Sequence, residues 1–275
     1  MLLGDGGNGK TLLTDFIARD ILGLAPTGYS ASLPIEALLT HKTDRHPTEL
    51  MSLFHTRLAL ASEPSSGVSW NEGLVMRLSG GEPVTARAMR QDFITFPATH
   101  KLFVVGNTAP ALRGGREPAW QRRLHMIPFQ QRWADRADAS NHVRLADANL
   151  REKLRPEAPG VLYKLVLGCV EYVRRGSLDA PATIRETSDN YLKQQNVIGR
   201  WLDERCDRSN PHATVTVAEL WADLTRWGEA GREYIGKRND FNGALERLGI
   251  NVTRANKQRG VCLGVGLLPS EEGAS

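Results

Sequence analysis

Gly4-Asp5-Gly6-Gly7-Asn8-Gly9-Lys10-Thr11, followed by Leu12, is the stretch on which the reading of this 275-residue chain turns. It fills every fixed position of the phosphate-binding pattern G-x-x-x-x-G-K-[ST]. Glycines let such a loop wrap so that backbone N–H groups point inward at phosphate oxygens that side chains would otherwise block. Lys10 is placed to reach the β and γ phosphates of a nucleotide, and the Thr11 hydroxyl to hold Mg²⁺. Leu12, Leu13, Phe16, Ile17 and Ile21 recur at helical spacing, which predicts a helix whose N-terminus faces the phosphates. Such a loop normally follows a buried strand of five or six residues, roughly. Only Met1, Leu2 and Leu3 precede Gly4, so a very short first strand is expected, or a domain whose front is missing.

Composition narrows the setting. A hydrophobic share of 41% and a charged share of 24% fit a soluble globular chain with room for a large domain and a smaller one. No apolar run approaches the roughly 18 residues of a membrane span, so no membrane partner is predicted. Glycines and Asp5 stand where the apolar segment of a signal peptide would be. Cys169, Cys206 and Cys262 are odd in number and far apart in sequence, which points to neither a disulfide frame nor a zinc knuckle, and to a cytoplasmic location. Charge is unevenly placed. Arg232, Lys237, Arg238, Arg247, Arg254, Lys257 and Arg259 face only Glu233, Asp240 and Glu246, so that segment alone carries the chain's net +4. A basic C-terminal patch hints at nucleic acid.

Residues 1–135 alternate helical and strand-like patterns, as an α/β domain should. Arg57–Ala61 and Lys101–Val105 read as buried parallel strands, whose C-terminal ends are where open α/β sheets keep their chemistry. Asn71 to Leu78 reads as a helix, and Val84–Arg87 and Phe93–Phe96 as two strands joined by a polar turn. Residues 136–196 are mostly helical, with a strongly amphipathic stretch over Gly160–Val173 and a helix after Pro181. Residues 197–268 give helices over Ile198–Cys206, Val217–Ala230 and Asn239–Leu248, then short strands near Val252 and Val261–Val265. Three helices and a terminal hairpin suggest a winged-helix module. Residues 269–275 are predicted to be a disordered tail.

Chemistry-bearing residues fall where these elements end. Glu63 lies just past the first buried strand, where a carboxylate could orient water against a γ-phosphate; a solvated loop glutamate is the plain alternative. Ser62 stands where many such ATPases carry an aspartate. Asn107 follows the second strand and could bond the attacking water or the γ-phosphate, or be an ordinary turn asparagine. Trp120-Gln-Arg-Arg-Leu124 offers Arg122 and Arg123. An arginine donated to a transferring phosphoryl group is worth about 10³–10⁵ in rate, although adjacent arginines are more often surface salt-bridge partners.

Taken in order, Gly-Asp-Gly-Gly-Asn-Gly-Lys-Thr, Leu-Ala-Ser-Glu-Pro, Leu-Ser-Gly-Gly-Glu-Pro-Val-Thr-Ala-Arg, Lys-Leu-Phe-Val-Val-Gly-Asn-Thr-Ala-Pro and Trp-Gln-Arg-Arg-Leu-His-Met-Ile-Pro-Phe resemble the motifs of superfamily III helicases. The nearest likeness is to the C-terminal helicase part of phage, plasmid and poxvirus-type primase-helicases. It covers residues 1 to about 130 strongly and the rest loosely. It implies an AAA+-type ATPase that works as a hexameric ring translocating on DNA, with ATP and Mg²⁺ as ligands. Lys10, Thr11 and the loop from Gly4 to Leu12 would hold nucleotide and metal, Glu63 would activate water, and Asn107 would sense the γ-phosphate. Arg122 or Arg123 would reach the neighbouring subunit, with a slight preference for Arg123. Thr85-Ala-Arg-Ala-Met-Arg-Gln91 corresponds to a hairpin that enters the ring channel, making Arg87 and Arg90 candidate DNA contacts; an ordinary basic hairpin surface is the alternative. Lys237 and Arg238 would open the recognition helix of the winged module, with Arg254, Lys257 and Arg259 on or beside the wing, in phosphate contact or as a solvated charged face. The family's helical segment and full first strand before the loop are expected to be absent. Two other functions stay open: an inactive DNA-binding remnant of such a helicase, and a P-loop phosphotransferase.

Overall fold

Short apolar runs closed by polar or glycine turns build a parallel sheet only when connections cross over its faces. The computed structural model describes residues 1–41, 47–113, 117–255 and 259–269, with the side chains of Arg254 and Arg259 outside that description. It divides into a first unit, Met1–Leu112 with Pro118–Asp189, and a second, Arg113–Glu117 with Asn190–Ser275. The first runs β1 (Leu2–Leu3), α1 (Lys10–Asp15), β2 (Ser30–Ser32), β3 (Leu58–Ser62), α2 (Glu72–Ser79), β4 (Val84–Ala86), β5 (Ile94–Phe96) and β6 (Lys101–Gly106). After these come α3 (Glu117–Gln121), whose first residue is counted with the second unit, β7 (Ile127–Pro128), β8 (Arg132–Ala134), β9 (Val143–Leu145), α4 (Leu150–Leu154), α5 (Ala158–Arg175) and α6 (Ala182–Gln195), which runs past the boundary at Asp189.

Five strands make the parallel sheet in the order β2-β3-β6-β1-β7. The expected short first strand is there, and it is paired on both edges: Leu2 stands opposite Val105 and Ile127, Leu3 opposite Gly106 and Pro128. Leu2, Ala59, Ala61, Val104 and Val105 are buried, as both faces of a covered parallel sheet require. Helix α1 runs into a π-helical turn over Phe16–Ile21, in which the Leu22 N–H donates to the Ile17 carbonyl (3.0 Å). Phe16 and Ala18 are buried there, while Leu13, one of the apolar positions of the predicted helix, is exposed. Asn71 caps α2 by accepting from the Leu74 N–H (3.2 Å). Trp120 is 2% exposed, lies 6.0 Å from the Trp70 ring and donates its indole N–H to Glu72 (3.3 Å). Helix α5 covers the predicted amphipathic stretch, yet none of its residues is buried.

The second unit contains α7 (Val197–Arg205), β10 (Cys206–Asp207), β11 (Thr214–Thr216), α8 (Val217–Gly231), α9 (Arg238–Arg247), β12 (Asn251–Ala255), β13 (Arg259–Leu263) and β14 (Gly266–Leu267). Strands β11, β13 and β12 form an antiparallel sheet in that order. Strand β11 was not predicted: Thr-Val-Thr is too short to show a period, and its ladder partner lies far along the chain. The strand predicted to reach Val265 ends at Leu263, because Gly264 turns the chain at φ 73° and donates its N–H to Ala213 (2.9 Å). Thr216 and Glu219 form a reciprocal capping box at the start of α8. Trp201, Leu220, Leu224, Phe241, Leu245, Cys262 and Val265 make the core. The predicted tail beyond residue 269 lies outside the described residues. Among the described residues no helix is long and apolar enough to cross a membrane.

Asp223, 4% exposed, crosses this core by accepting from the Trp201 indole (2.9 Å) and from Arg205 (3.2 Å). Burial alone would raise its pKa, but the bonds from Arg205 and Trp201 hold it below the ordinary carboxylate value. A depressed folded pKa contributes stability above the unfolded value of about 3.9 and loses it as pH falls through the folded one. Asp223→Asn should therefore cost about 3 kcal/mol at pH 7 in urea unfolding, with the gap to the parent closing below about pH 4.

His100, 5% exposed, has no hydrogen-bond partner for either ring nitrogen. Burial, and next Lys101, push its pKa below 6.5, against a weak opposing pull from the Leu78 main chain, which does not meet hydrogen-bond geometry. The unfolded chain then takes up a proton below pH 6.5 that the folded chain refuses. Thermal stability should fall as pH drops through that range, and His100→Phe should make the decline shallower.

Candidate functional site

The loop leaves β1, between β6 and β7, and curls over the sheet's C-terminal edge, where glycines meet three separate demands. At Gly4 (φ 154°) a Cβ would lie 2.4 Å from the Phe129 carbonyl oxygen. Gly7 (φ 72°) would meet the Trp133 carbonyl oxygen at 2.9 Å. Gly9 (φ 84°) has open space around it, so conformation alone calls for glycine there. The loop is laced to the chain after β7: the Phe129 N–H donates to Leu3 (2.7 Å), the Asn8 amide to Phe129 (3.1 Å) and the Trp133 N–H to Gly7 (2.7 Å).

Lys10 is 3% exposed, and its ammonium lies at the centre of the loop. It donates to the carbonyl oxygens of Gly4 and Asp5, to the Asn8 amide oxygen (2.9 Å) and to the Asn107 amide oxygen (3.2 Å). Burial pushes its pKa below the ordinary lysine value, while the Glu63 and Asp5 carboxylates pull the other way. Three of the predicted residues, Lys10, Glu63 and Asn107, are thus drawn together from β1, β3 and β6.

Gly106 makes this convergence possible. A Cβ there would meet the Pro64 ring at 2.8 Å, so only glycine lets the two strand ends lie side by side. Glu63 itself sits at φ 60°, in the left-handed region, with its N–H bonded to Val105 (2.8 Å). A non-glycine residue in that region is a place to look for function. Thr11 is exposed on the first turn of α1, open to a metal ion. The open cradle at Gly6, the buried ammonium and the exposed hydroxyl fit a nucleoside triphosphate with Mg²⁺.

Other predicted residues stand apart from this cluster. Arg122 and Arg123 are exposed just after α3; Arg123 donates to the Ala119 carbonyl (3.2 Å), whereas Arg122 makes no such bond among the described residues. Arg87 and Arg90 flank the turn between β4 and β5, with Arg87 over the Phe93 ring at 4.6 Å and Arg90 at φ 61°. Lys237 and Arg238 are exposed at the start of α9, and Arg238 rests over the Trp221 (5.5 Å) and Phe241 (5.7 Å) rings. Lys257 lies outside the described residues, and of Arg254 and Arg259 only the backbone, in β12 and β13, is described. The predictions missed Gly106 and the Phe129–Trp133 lacing. The dipeptide Gly-Asn after an apolar run was the available signal for the first, and nothing in sequence marked the second.

A five-stranded parallel sheet with a glycine-rich phosphate-loop motif after its interior strand β1 defines a mixed α/β protein. No protein-family profile matches the chain. Residues of this chain align at 25% identity over 251 positions with the protein named "Putative helicase L207/L206" of Acanthamoeba polyphaga mimivirus, covering 86% of this chain and 25% of the relative. The chain therefore spans a quarter of that relative's length. Among solved structures, the apo C-terminal region of NrS-1 covers 96% of this chain and 66% of its own at 12% identity and a TM-score of 0.45. A second structure of that region, labelled 305–718, matches at 9% identity and the same TM-score of 0.45.

The glycines separate two kinds of substitution. Gly4→Ala should lower stability by about 2 kcal/mol in thermal unfolding without nucleotide, since φ and the Phe129 carbonyl both oppose it. Gly6→Ala, with nothing within 4 Å of its Cβ, should stay within about 0.5 kcal/mol of the parent.

Proposed function

We propose that this chain is the motor part of an ATP-dependent DNA helicase of the superfamily III, AAA+ type, from a phage or plasmid replication system. The observation that carries it is the convergence of Lys10, Glu63 and Asn107 at the C-terminal ends of adjacent parallel strands, beneath a glycine loop bonded to the chain after β7. The helicase relative supports the same reading. Residues 1–135 are the ATPase core, 136–196 a helical region and 197–268 a winged-helix DNA-binding module. For that last assignment the support is the chain order of three helices interleaved with a three-stranded antiparallel sheet.

Lys10 and the loop N–H groups bind the β and γ phosphates, and Thr11 holds Mg²⁺, which draws charge off the phosphate oxygens when bound. Glu63 orients a water on the γ-phosphate side and accepts its proton, and Asn107 fixes the geometry with a hydrogen bond. The bond from Lys10 to Asn107 (3.2 Å) couples the loop to that detector. Arg122 is the better choice for the arginine offered to a neighbouring subunit of a hexameric ring, because Arg123 is engaged with Ala119. This reverses the slight preference drawn from sequence. Arg87 and Arg90 grip DNA phosphates from the hairpin tip, and Lys237, Arg238, Arg254, Lys257 and Arg259 do so from the second unit.

The test is ATP hydrolysis with and without single-stranded DNA. Hydrolysis should rise with DNA and vanish in Lys10→Ala. Glu63→Gln should keep nucleotide affinity but slow turnover by about 10²–10⁴. Arg122→Ala should slow it by about 10³ and Arg123→Ala by much less. Turnover indifferent to Lys10→Ala, or seen only with a small-molecule acceptor, overturns the proposal.

A further inference from the structure

The sheet order leaves one side of the loop chemically unassigned. Glu63 and Asn107 follow β3 and β6, which lie on one side of β1, whereas β7 lies on the other. With the γ-phosphate taken to face Glu63 and Asn107, the β7 side is the flank left for the nucleoside. The chain beyond β7 is fastened there. The Trp133 N–H donates to the Gly7 carbonyl (2.7 Å), and Gly7 has no room for a Cβ because the Trp133 carbonyl oxygen would be 2.9 Å away. This close approach holds an aromatic residue against the loop's outer turn.

Trp133 nevertheless keeps 40% of its surface exposed, so part of its side chain stays open to a ligand. Strands β8 and β9 are parallel and pair Trp133 directly with Arg144, which puts both side chains on one face. The Arg144 guanidinium lies 5.7 Å from the Trp133 ring centroid. The element is braced: Gln131 donates to the His142 carbonyl (2.8 Å), the Ala146 N–H to Ala134 (2.8 Å), and Asp138 accepts from the Ser140 and Asn141 side chains. An exposed aromatic plane beside a phosphate loop, backed by a guanidinium and held by main-chain bonds, has the chemistry to stack on a nucleobase.

We propose that β8–β9 is the base-binding wall of the nucleotide site: the Trp133 ring stacks on the base of a nucleoside triphosphate, and Arg144 holds that ring in place and adds its own planar face. The inference rests on the nucleotide reading of the loop. It assigns recognition of the base to Trp133 and recognition of the phosphates to Lys10.

Titration of the full chain with ATP, and separately with inorganic tripolyphosphate, distinguishes the two. Trp133→Ala should weaken ATP about tenfold, in line with base–aromatic stacking, and leave tripolyphosphate unchanged. Trp133→Phe should restore most of the ATP affinity, and Arg144→Ala should lower it about threefold. Lys10→Ala should lose both ligands. If Trp133→Ala keeps the parent ratio of ATP to tripolyphosphate affinity while Lys10→Ala loses both, the base wall is wrong and the loop reading stands. If Lys10→Ala binds both normally, the loop reading itself falls. Should Trp133→Ala not fold, Trp133→Phe and Arg144→Ala decide: an ATP affinity untouched by Arg144→Ala, with no ATP-specific fluorescence change lost in Trp133→Phe, overturns the inference.

Discussion

Leu2 and Leu3 carry main-chain pairing on both of their edges, to Val105 and Gly106 on one side and to Ile127 and Pro128 on the other. A two-residue strand contributes little burial of its own, yet its position between β6 and β7 fixes where the loop begins. Lys10 lands within hydrogen-bond reach of Asn107, and Gly7 lands against Trp133. The two flanks thus acquire different chemistry because the strands beside β1 end differently. A carboxylate and an amide follow β3 and β6, while aromatic and basic side chains follow β7.

Polar groups inside the structure follow the same economy. Lys10 is buried but meets four oxygen acceptors, and Asp223 is buried but meets an indole and a guanidinium. Each is an ionised group taken out of water and compensated by specific donors or acceptors, which fixes geometry more than it adds net stability. His100 is the contrast, a buried ring with neither nitrogen bonded, and it is tolerable because imidazole can remain neutral. The second unit also brings Cys206 and Cys262, distant in sequence, into one core. Burial, with Asp223 adding to it, pushes the Cys206 thiol up to about 12, so it behaves there as an apolar side chain.

Much of this was legible in the sequence, for reasons that differ by residue. The loop announced itself because its glycines and Lys10 have fixed spacing. Strands β3 and β6 did so because both are continuous apolar runs ended by Glu63 and by Gly106-Asn107. Strand order was not legible, since nothing local says that β7 closes the far side of β1. The consequence is that Trp133 gave no signal: its partner Gly7 is more than a hundred residues earlier, and the contact is made by backbone atoms. Strand β11 was missed for a related reason, as Thr214–Thr216 becomes a strand only through Cys262 and its neighbours. Side-chain engagement was hidden as well. Arg122 and Arg123 are chemically identical in sequence, and only the Ala119 carbonyl tells them apart.

Helix α2 is gripped at both ends by the same short segment of chain. Its first residue, Glu72, takes the Trp120 indole N–H, and beside its final turn the Arg123 guanidinium stands 3.6 Å from where a Cβ on Gly80 would be. Four residues beyond Gly80 the β4–β5 hairpin begins. The stretch carrying Arg122 and Arg123 therefore meets α2 near both of its ends, so what disturbs that helix also bears on where the two arginines stand.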